Sequence, residues 1–206
     1  MNSHLNSLLE RYSQLAVCRS DVEKAFGIMR DCFRSGGKVL LCGNGGSAAD
    51  ADHWAGELLK GFRRKRPLNE TEKNGLSLEL ALKLQGGLPA IPLTGFPSLS
   101  TAFANDVDPQ LAFAQLVWGL GRRGDVLVGL STSGKSRNVC AAMEAAQARG
   151  LLRIGLSGSS GFWMDSFCDV CIKAPADETY QVQELHLPIY HCLSLMLEEE
   201  FFGQEK

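Results

Sequence analysis

The stretch DVLVGLSTSGKS, residues 125–136, joins a short apolar run to a loop rich in glycine and hydroxyl groups. Residues 125–130 read as a buried strand and residues 136–149 as a helix, so the loop lies between a strand end and a helix start. Its last eight residues also match G-x-x-x-x-G-K-S, the P-loop pattern. A P-loop NTPase needs, in addition, an acidic residue closing an apolar strand to support Mg²⁺. The apolar run 151–156 is followed by Ser157-Gly158, and the run 168–174 ends in Lys173-Ala174 before Pro175, so neither supplies that acid. What remains is a cluster of four hydroxyls, Ser131, Thr132, Ser133 and Ser136, beside the free amides of a helix start. That combination suits one phosphate monoester.

Working outward, strand-like and helix-like segments alternate. Two amphipathic helices are predicted over 4–17 and 21–35, the second opened by a Ser20/Glu23 capping box and stopped by Gly36-Gly37. A strand over 38–42, a tight loop over 43–47 and a helix over 48–60 follow. Residues 61–87 are irregular: they hold the basic run Arg63-Arg64-Lys65-Arg66, Pro67 and a polar stretch, with a short helix over 77–85, and read as an insertion. A second strand is predicted over 88–93, helices over 98–104 and 109–120, the strand and helix of the opening stretch, and further strands over 151–156 and 168–174. The chain ends in a long helix, 178–202, interrupted by Pro188. Alternation of this kind predicts one α/β domain over 1–206, a three-layer sandwich around a central five-stranded parallel sheet, with N-terminal helices and a long C-terminal helix. Ligands of such sheets bind at the carboxyl ends of strands.

Composition narrows the function classes. The chain has 45% hydrophobic and 21% charged residues, an ordinary globular balance, and a net charge of -2 that argues against a nucleic-acid surface. Seven cysteines, an odd number with several inside apolar runs, fit buried free thiols in a reducing compartment. No basic-then-apolar leader and no spanning apolar run is evident, so a cytoplasmic protein without membrane association is expected.

A second glycine loop, Gly43-Asn44-Gly45-Gly46-Ser47-Ala48, fits G-x-G-x-x-A after a strand. The dinucleotide fingerprint also wants an acidic residue about 20 positions on, and Arg63-Arg64-Lys65 stand there instead. The loop nevertheless lets a ligand approach the backbone at a helix N-terminus. In the helix that follows, His53 and Glu57 share a face at i, i+4, and the terminal helix offers Gln183, Glu184, His186 and His191. Histidine and carboxylate are apt ligands for a Zn²⁺-type ion that polarises a carbonyl.

Taken together, CGNGGSAADADH (42–53), Glu57, AFANDVD (102–108), GDVLVGLSTSGKSRNV (124–139) and QELHLPIYH (183–191) resemble the sedoheptulose-7-phosphate isomerase, or phosphoheptose isomerase, family of the SIS domain superfamily. The resemblance implies a flavodoxin-like SIS fold and an intramolecular oxidoreductase. That enzyme would convert D-sedoheptulose 7-phosphate to D-glycero-D-manno-heptose 7-phosphate for heptose and surface-polysaccharide synthesis. It implies that Asn44, Gly45, Gly46, Ser47, Asn105 and Asp106 line the sugar, and that Ser131, Thr132, Ser133 and Ser136 hold the phosphate. It further implies that His53, Glu57, Gln183 and His191 bind one Zn²⁺ per subunit, with Glu57 and Gln183 also touching substrate and Glu57 and His191 as the acid/base pair. A homotetramer is implied, with helices in 1–35 packing it. Because Gln183 and His191 are eight residues apart, about 12 Å of helical rise, a distortion at Pro188 or ligands from two subunits would be needed for both to meet one ion. Lys135 stands where the family usually has Asn, and 67–87 looks longer than the family's connection. The alternative is a non-catalytic SIS sugar-phosphate-binding or regulatory module of the replication-initiation-factor type, which would lack some of these ligands.

Overall fold

The computed structural model describes residues 3–203. Five parallel strands, β1 (Val39–Gly43), β2 (Ala90–Pro92), β3 (Val126–Ser131), β4 (Leu152–Ser157) and β5 (Val170–Lys173), form one sheet in the order β2-β1-β3-β4-β5. Side chains of successive strand residues point to opposite faces, and the core divides accordingly. Val39, Leu41, Val126, Val128, Leu130, Ile154 and Leu156 face one cluster, and Leu40, Cys42 and Leu127 face the other. The first cluster is covered by α1 (Ser3–Arg11), α2 (Arg19–Arg34), α3 (Gly46–Leu59) and α9 (Thr179–Phe202). The second is covered by α6 (Ala112–Leu120), α7 (Arg137–Arg149) and α8 (Phe162–Phe167). Two short helices, α4 (Leu78–Lys83) and α5 (Pro97–Asp106), have no fully buried residue. The expected three-layer sandwich is what the chain forms.

Several local expectations are corrected. The helix predicted over 4–17 stops at Arg11, and Ser13–Cys18 is a 3₁₀ segment, because Tyr12 leaves helical geometry with ψ +70°. The Ser20/Glu23 capping box does not form: α2 begins at Arg19 behind Cys18, with no side-chain cap. The helix predicted over 109–120 opens as a 3₁₀ turn, Pro109–Leu111, capped by Asp108. α8 went unpredicted; its six residues are too few to show a period. The terminal helix is not interrupted: α9 runs unbroken from Thr179 to Phe202 through Pro188. The proline removes one backbone hydrogen bond, but Pro188 lies among the buried residues Leu185, Ile189 and Cys192, so packing holds the helix across the gap.

The irregular segment 61–87 is tied down at its base. Glu198 of α9 accepts hydrogen bonds from the backbone N–H of Phe62, Arg63 and Arg64 and from Arg66 Nε. The Arg66 guanidinium is fully buried and also donates to the carbonyls of Leu58 and Glu57, capping the end of α3. Pro67 and Gln85 form an isolated antiparallel bridge that closes the excursion carrying α4.

Candidate active site

Two loops emerge side by side because β1 pairs β3, with Gly43 opposite Leu130. β1 is followed in the sheet by β2 on one side and β3 by β4 on the other. The order 2-1-3-4-5 therefore opens a crevice at the β1/β3 switch point, where sheets of this kind bind ligands. Residues 43–47 and 131–136, the two loops singled out in the sequence, follow β1 and β3 at that switch point.

In the second loop, Ser131 is buried at the end of β3, and its Oγ lies 2.8 Å from Ser136 Oγ. The backbone N–H of Lys135 donates to Ser133 Oγ at 3.2 Å. Gly134 has φ +65°, and a side chain there would run into the Gly161 carbonyl, so the chain can turn this tightly only with glycine. The first free turn of α7 follows directly, giving an anion both hydroxyls and amides. The Thr132 carbonyl accepts from Gly158 N–H at 2.9 Å, tying this loop to the turn after β4. Lys135 extends from the loop with its ammonium 3.7 Å from the centre of the Phe162 ring.

In the first loop, Gly45 (φ +55°) caps α3, and Ser47 is buried behind it. Gln183 of α9 lies directly over Gly46; a Cβ there would collide with its amide. Asn44 makes a reciprocal pair with Asn138 of α7: Asn44 Nδ2 donates to Asn138 Oδ1 at 2.9 Å, and Asn138 Nδ2 donates to Asn44 Oδ1 at 2.8 Å. Asn105 and Asp106 are exposed at the end of α5 and bond each other at 2.9 Å. Asp108, just beyond them, pairs loosely with Arg137 next to the hydroxyl loop, at 3.9 Å.

The third part of the site stands where α3 meets α9. His53 Nε2 is 3.2 Å from Glu57 Oε1, one helical turn on. The His53 and His191 rings are 5.2 Å apart and nearly perpendicular, and Phe62 lies 5.2 Å from His191 on another side. Glu57 Oε2 and His191 Nε2 are buried, with no hydrogen-bond partner among the described residues. Burial, aided by the like charge of His53, lowers the pKa of His191. Tyr190, fully buried and stacked on Trp54, places its hydroxyl 2.9 Å from His53 Nδ1 and 3.3 Å from Asp50 Oδ1. When Tyr190 donates to Asp50, it must accept from His53 Nδ1–H. The lone pair of His53 Nε2 then faces the oxygen of Glu57. Two lone pairs sharing one space, with an unpartnered carboxylate oxygen and an unpartnered imidazole nitrogen beside them, form a donor set that suits a divalent cation. No group of three His, Cys, Asp or Glu side chains among the described residues is already closed around one point.

The structure thus brings His53, Glu57 and His191 together and sets Gln183 two turns away along α9, over Gly46. Since α9 is unbroken, a distortion at Pro188 is not what positions Gln183 and His191; each meets a different part of α3. His186 faces the interior instead, with Nε2 donating to the Ser157 carbonyl at 3.2 Å and Nδ1 unpartnered. Asp50, Tyr190, Phe62 and Asn138 were not anticipated. Asp50 had a usable signal, its i, i+3 spacing from His53, whereas the other three depend on packing between elements distant in sequence. All seven cysteines are free thiols; Cys168 and Cys171 both lie against Gly155, and burial pushes Cys42 up to about 12. Among the described residues no helix is long and apolar enough to cross a membrane.

Comparison with known proteins places the chain in a family. Sequence models of the SIS domain match residues 3–73 and 99–197. The phosphoheptose isomerase of Akkermansia muciniphila is 34% identical over 203 residues, covering 98% of this chain and 97% of its own. The structure of a phosphoheptose isomerase from Francisella tularensis superposes with TM-score 0.77 at 31% identity, covering 96% of each chain. That of Neisseria gonorrhoeae superposes with TM-score 0.70 at 32% identity, covering 94% of this chain and 98% of its own. A hydroxyl cradle and a glycine loop at one switch point, with a histidine–carboxylate cluster beside them, therefore sit on a chain that belongs to the phosphoheptose isomerase family of SIS-domain proteins, as a sugar-phosphate isomerase.

Proposed function

We propose that this enzyme converts D-sedoheptulose 7-phosphate to D-glycero-D-manno-heptose 7-phosphate, in the cytoplasm, as a step toward heptose for surface polysaccharide. The observation that carries the reading is the adjacency of a hydroxyl loop and an amide-bearing loop at one switch point to a half-buried carboxylate–imidazole pair where the helix that follows the first of them meets α9. Ser131, Thr132, Ser133 and Ser136 hold the phosphate, and Asn44, Gly45, Gly46, Ser47, Asn105, Asp106 and Gln183 hold the sugar.

Ketose-to-aldose conversion removes a proton from C1, forms an enediolate and returns a proton to C2. Glu57 serves as the base at carbon, because its Oε2 is buried and unpartnered while Oε1 is turned toward His53. His191 serves the oxygens: it gives a proton to O2 and takes one from O1. His53, Glu57 and His191, with Gln183 the fourth candidate, would hold one Zn²⁺ per subunit. The ion would supply Lewis-acid stabilisation of negative charge developing on the enediolate oxygen. The subunits assemble as a homotetramer in this reading, which exposed Val17 and Leu59 support.

The test is NMR of sedoheptulose 7-phosphate with the enzyme in D₂O, with zinc and after chelation. New aldose signals carrying deuterium at C2, lost with the metal, are expected. Turnover that survives complete metal removal would discard the ion, and no turnover by folded, zinc-loaded protein would discard this substrate.

A further inference from the structure

We propose that Asn138 is a positioning residue for sugar recognition, acting through Asn44. The proposal rests on the reading above, in which Asn44 faces the sugar. The two amides are the direct side-chain link between the glycine loop after β1 and the first turn of α7, which follows the hydroxyl loop. Their orientation follows from which atoms can donate and which can accept. The backbone N–H of Val139, in the first turn of α7, donates to Asn138 Oδ1 at 3.0 Å. An N–H needs an oxygen, so the Asn138 amide is fixed with its oxygen toward that amide. Asn44 must then present Nδ2 to Asn138 Oδ1 and take Asn138 Nδ2 on its own oxygen. One N–H and one carbonyl lone pair of Asn44 are left over, in fixed directions away from Asn138.

Two consequences follow. A sugar meets a donor and an acceptor that cannot exchange places by rotating the amide, so hydroxyls are read by position. The spacing between the glycine loop and the phosphate cradle is also set by a pair of bonds anchored in α7, so the phosphate end and the reacting end of the substrate are held in one frame. Asn44 is exposed and Asn138 half-buried. Water competes for such a pair, so its effect on global stability is small. Its effect on substrate geometry is not diluted in the same way, because small misplacements at a reacting centre are costly.

The experiment measures turnover of sedoheptulose 7-phosphate and competitive inhibition by inorganic phosphate for wild type, Asn138→Asp, Asn138→Ser, Asn44→Ser and the double variant Asn44→Ser/Asn138→Asp. Aspartate still caps Val139 but cannot donate to Asn44, and an acid in the first turn of a helix is favoured, so Asn138→Asp is expected to fold. The expected result is a loss of about tenfold or more in kcat/KM for both Asn138 variants. The phosphate inhibition constant should stay within about twofold, and the double variant should be no worse than Asn44→Ser by more than about twofold. An active wild type with an unaffected Asn138→Asp overturns the inference alone, as do losses that multiply in the double variant or a phosphate constant that moves with kcat/KM. A wild type that turns over no sedoheptulose 7-phosphate overturns the parent reading and this inference with it.

Discussion

Tyr190 engages one nitrogen of His53 and leaves the other to Glu57. Its hydroxyl is 2.9 Å from Nδ1 and its ring is wedged against Trp54, so neither partner can turn. Tyr190→Phe keeps the stacking and removes only the hydroxyl. Zinc affinity, read by competition with a chromogenic chelator, is expected to fall about tenfold to a hundredfold, as for other outer partners of histidine ligands; an unchanged affinity would mean that the hydroxyl does not set the imidazole. His186 shows a different residue-scale effect. Burial lowers its pKa from the ordinary 6.5 to about 4, against the smaller opposing help of the Ser157 carbonyl. The unfolded chain therefore binds more protons than the folded one between these values, and stability falls as pH drops from 6.5 toward 4. The loss amounts to roughly 3 kcal/mol across that window. Urea unfolding at pH 7 and pH 4.5 should show a steeper pH dependence for wild type than for His186→Gln.

At the scale of elements, the junction of α3, α9 and the segment after α3 decides where Glu57 and His191 sit. Burial would raise the pKa of Glu198, but three backbone N–H groups and Arg66 outweigh it and hold the carboxylate below its ordinary range. Arg66 reaches three acceptors on two elements, Glu198, Leu58 and Glu57, through three different nitrogens. Arg66→Met leaves a buried carboxylate without its cation and two carbonyls at the end of α3 without donors, at a cost of about 3 kcal/mol or more. Arg66→Lys should recover little, since an ammonium cannot span that fork. Chemical denaturation of the three proteins measures both. Pro188 belongs to the same scale. From the sequence, a proline in mid-helix reads as an interruption, because the lost bond and ring clash are local facts. Along α9 the buried face supplies enough packing to carry the helix past it, and that face is not a property of residues 183–191 alone.

For the whole molecule, the expected tetramer is a question of surface. Val17, Trp118 and Trp163 are among the large apolar side chains left more than half exposed. Light scattering on the purified protein should give about four times the 22.4 kDa chain mass. A monomeric mass together with full turnover would show that one chain completes the site by itself and would discard the tetramer.

The alternation of strands and helices, the two phosphate-like loops and the His53/Glu57 pair were all legible in the sequence. Each depends on periods and spacings within about a dozen residues, and backbone geometry converts such patterns directly into local structure. The family resemblance carried the remaining site residues into register, including Asn105, Asp106 and Gln183. Only the tertiary structure decided what crosses between elements. The pairing of β1 with β3 set the two loops side by side, and the packing of α3 on α9 put Tyr190 behind His53 and His191 before it. The register between loop and helix joined Asn44 to Asn138, 94 positions apart. Those contacts arise from burying two faces of one sheet at once, a constraint on the whole chain that no single stretch contains.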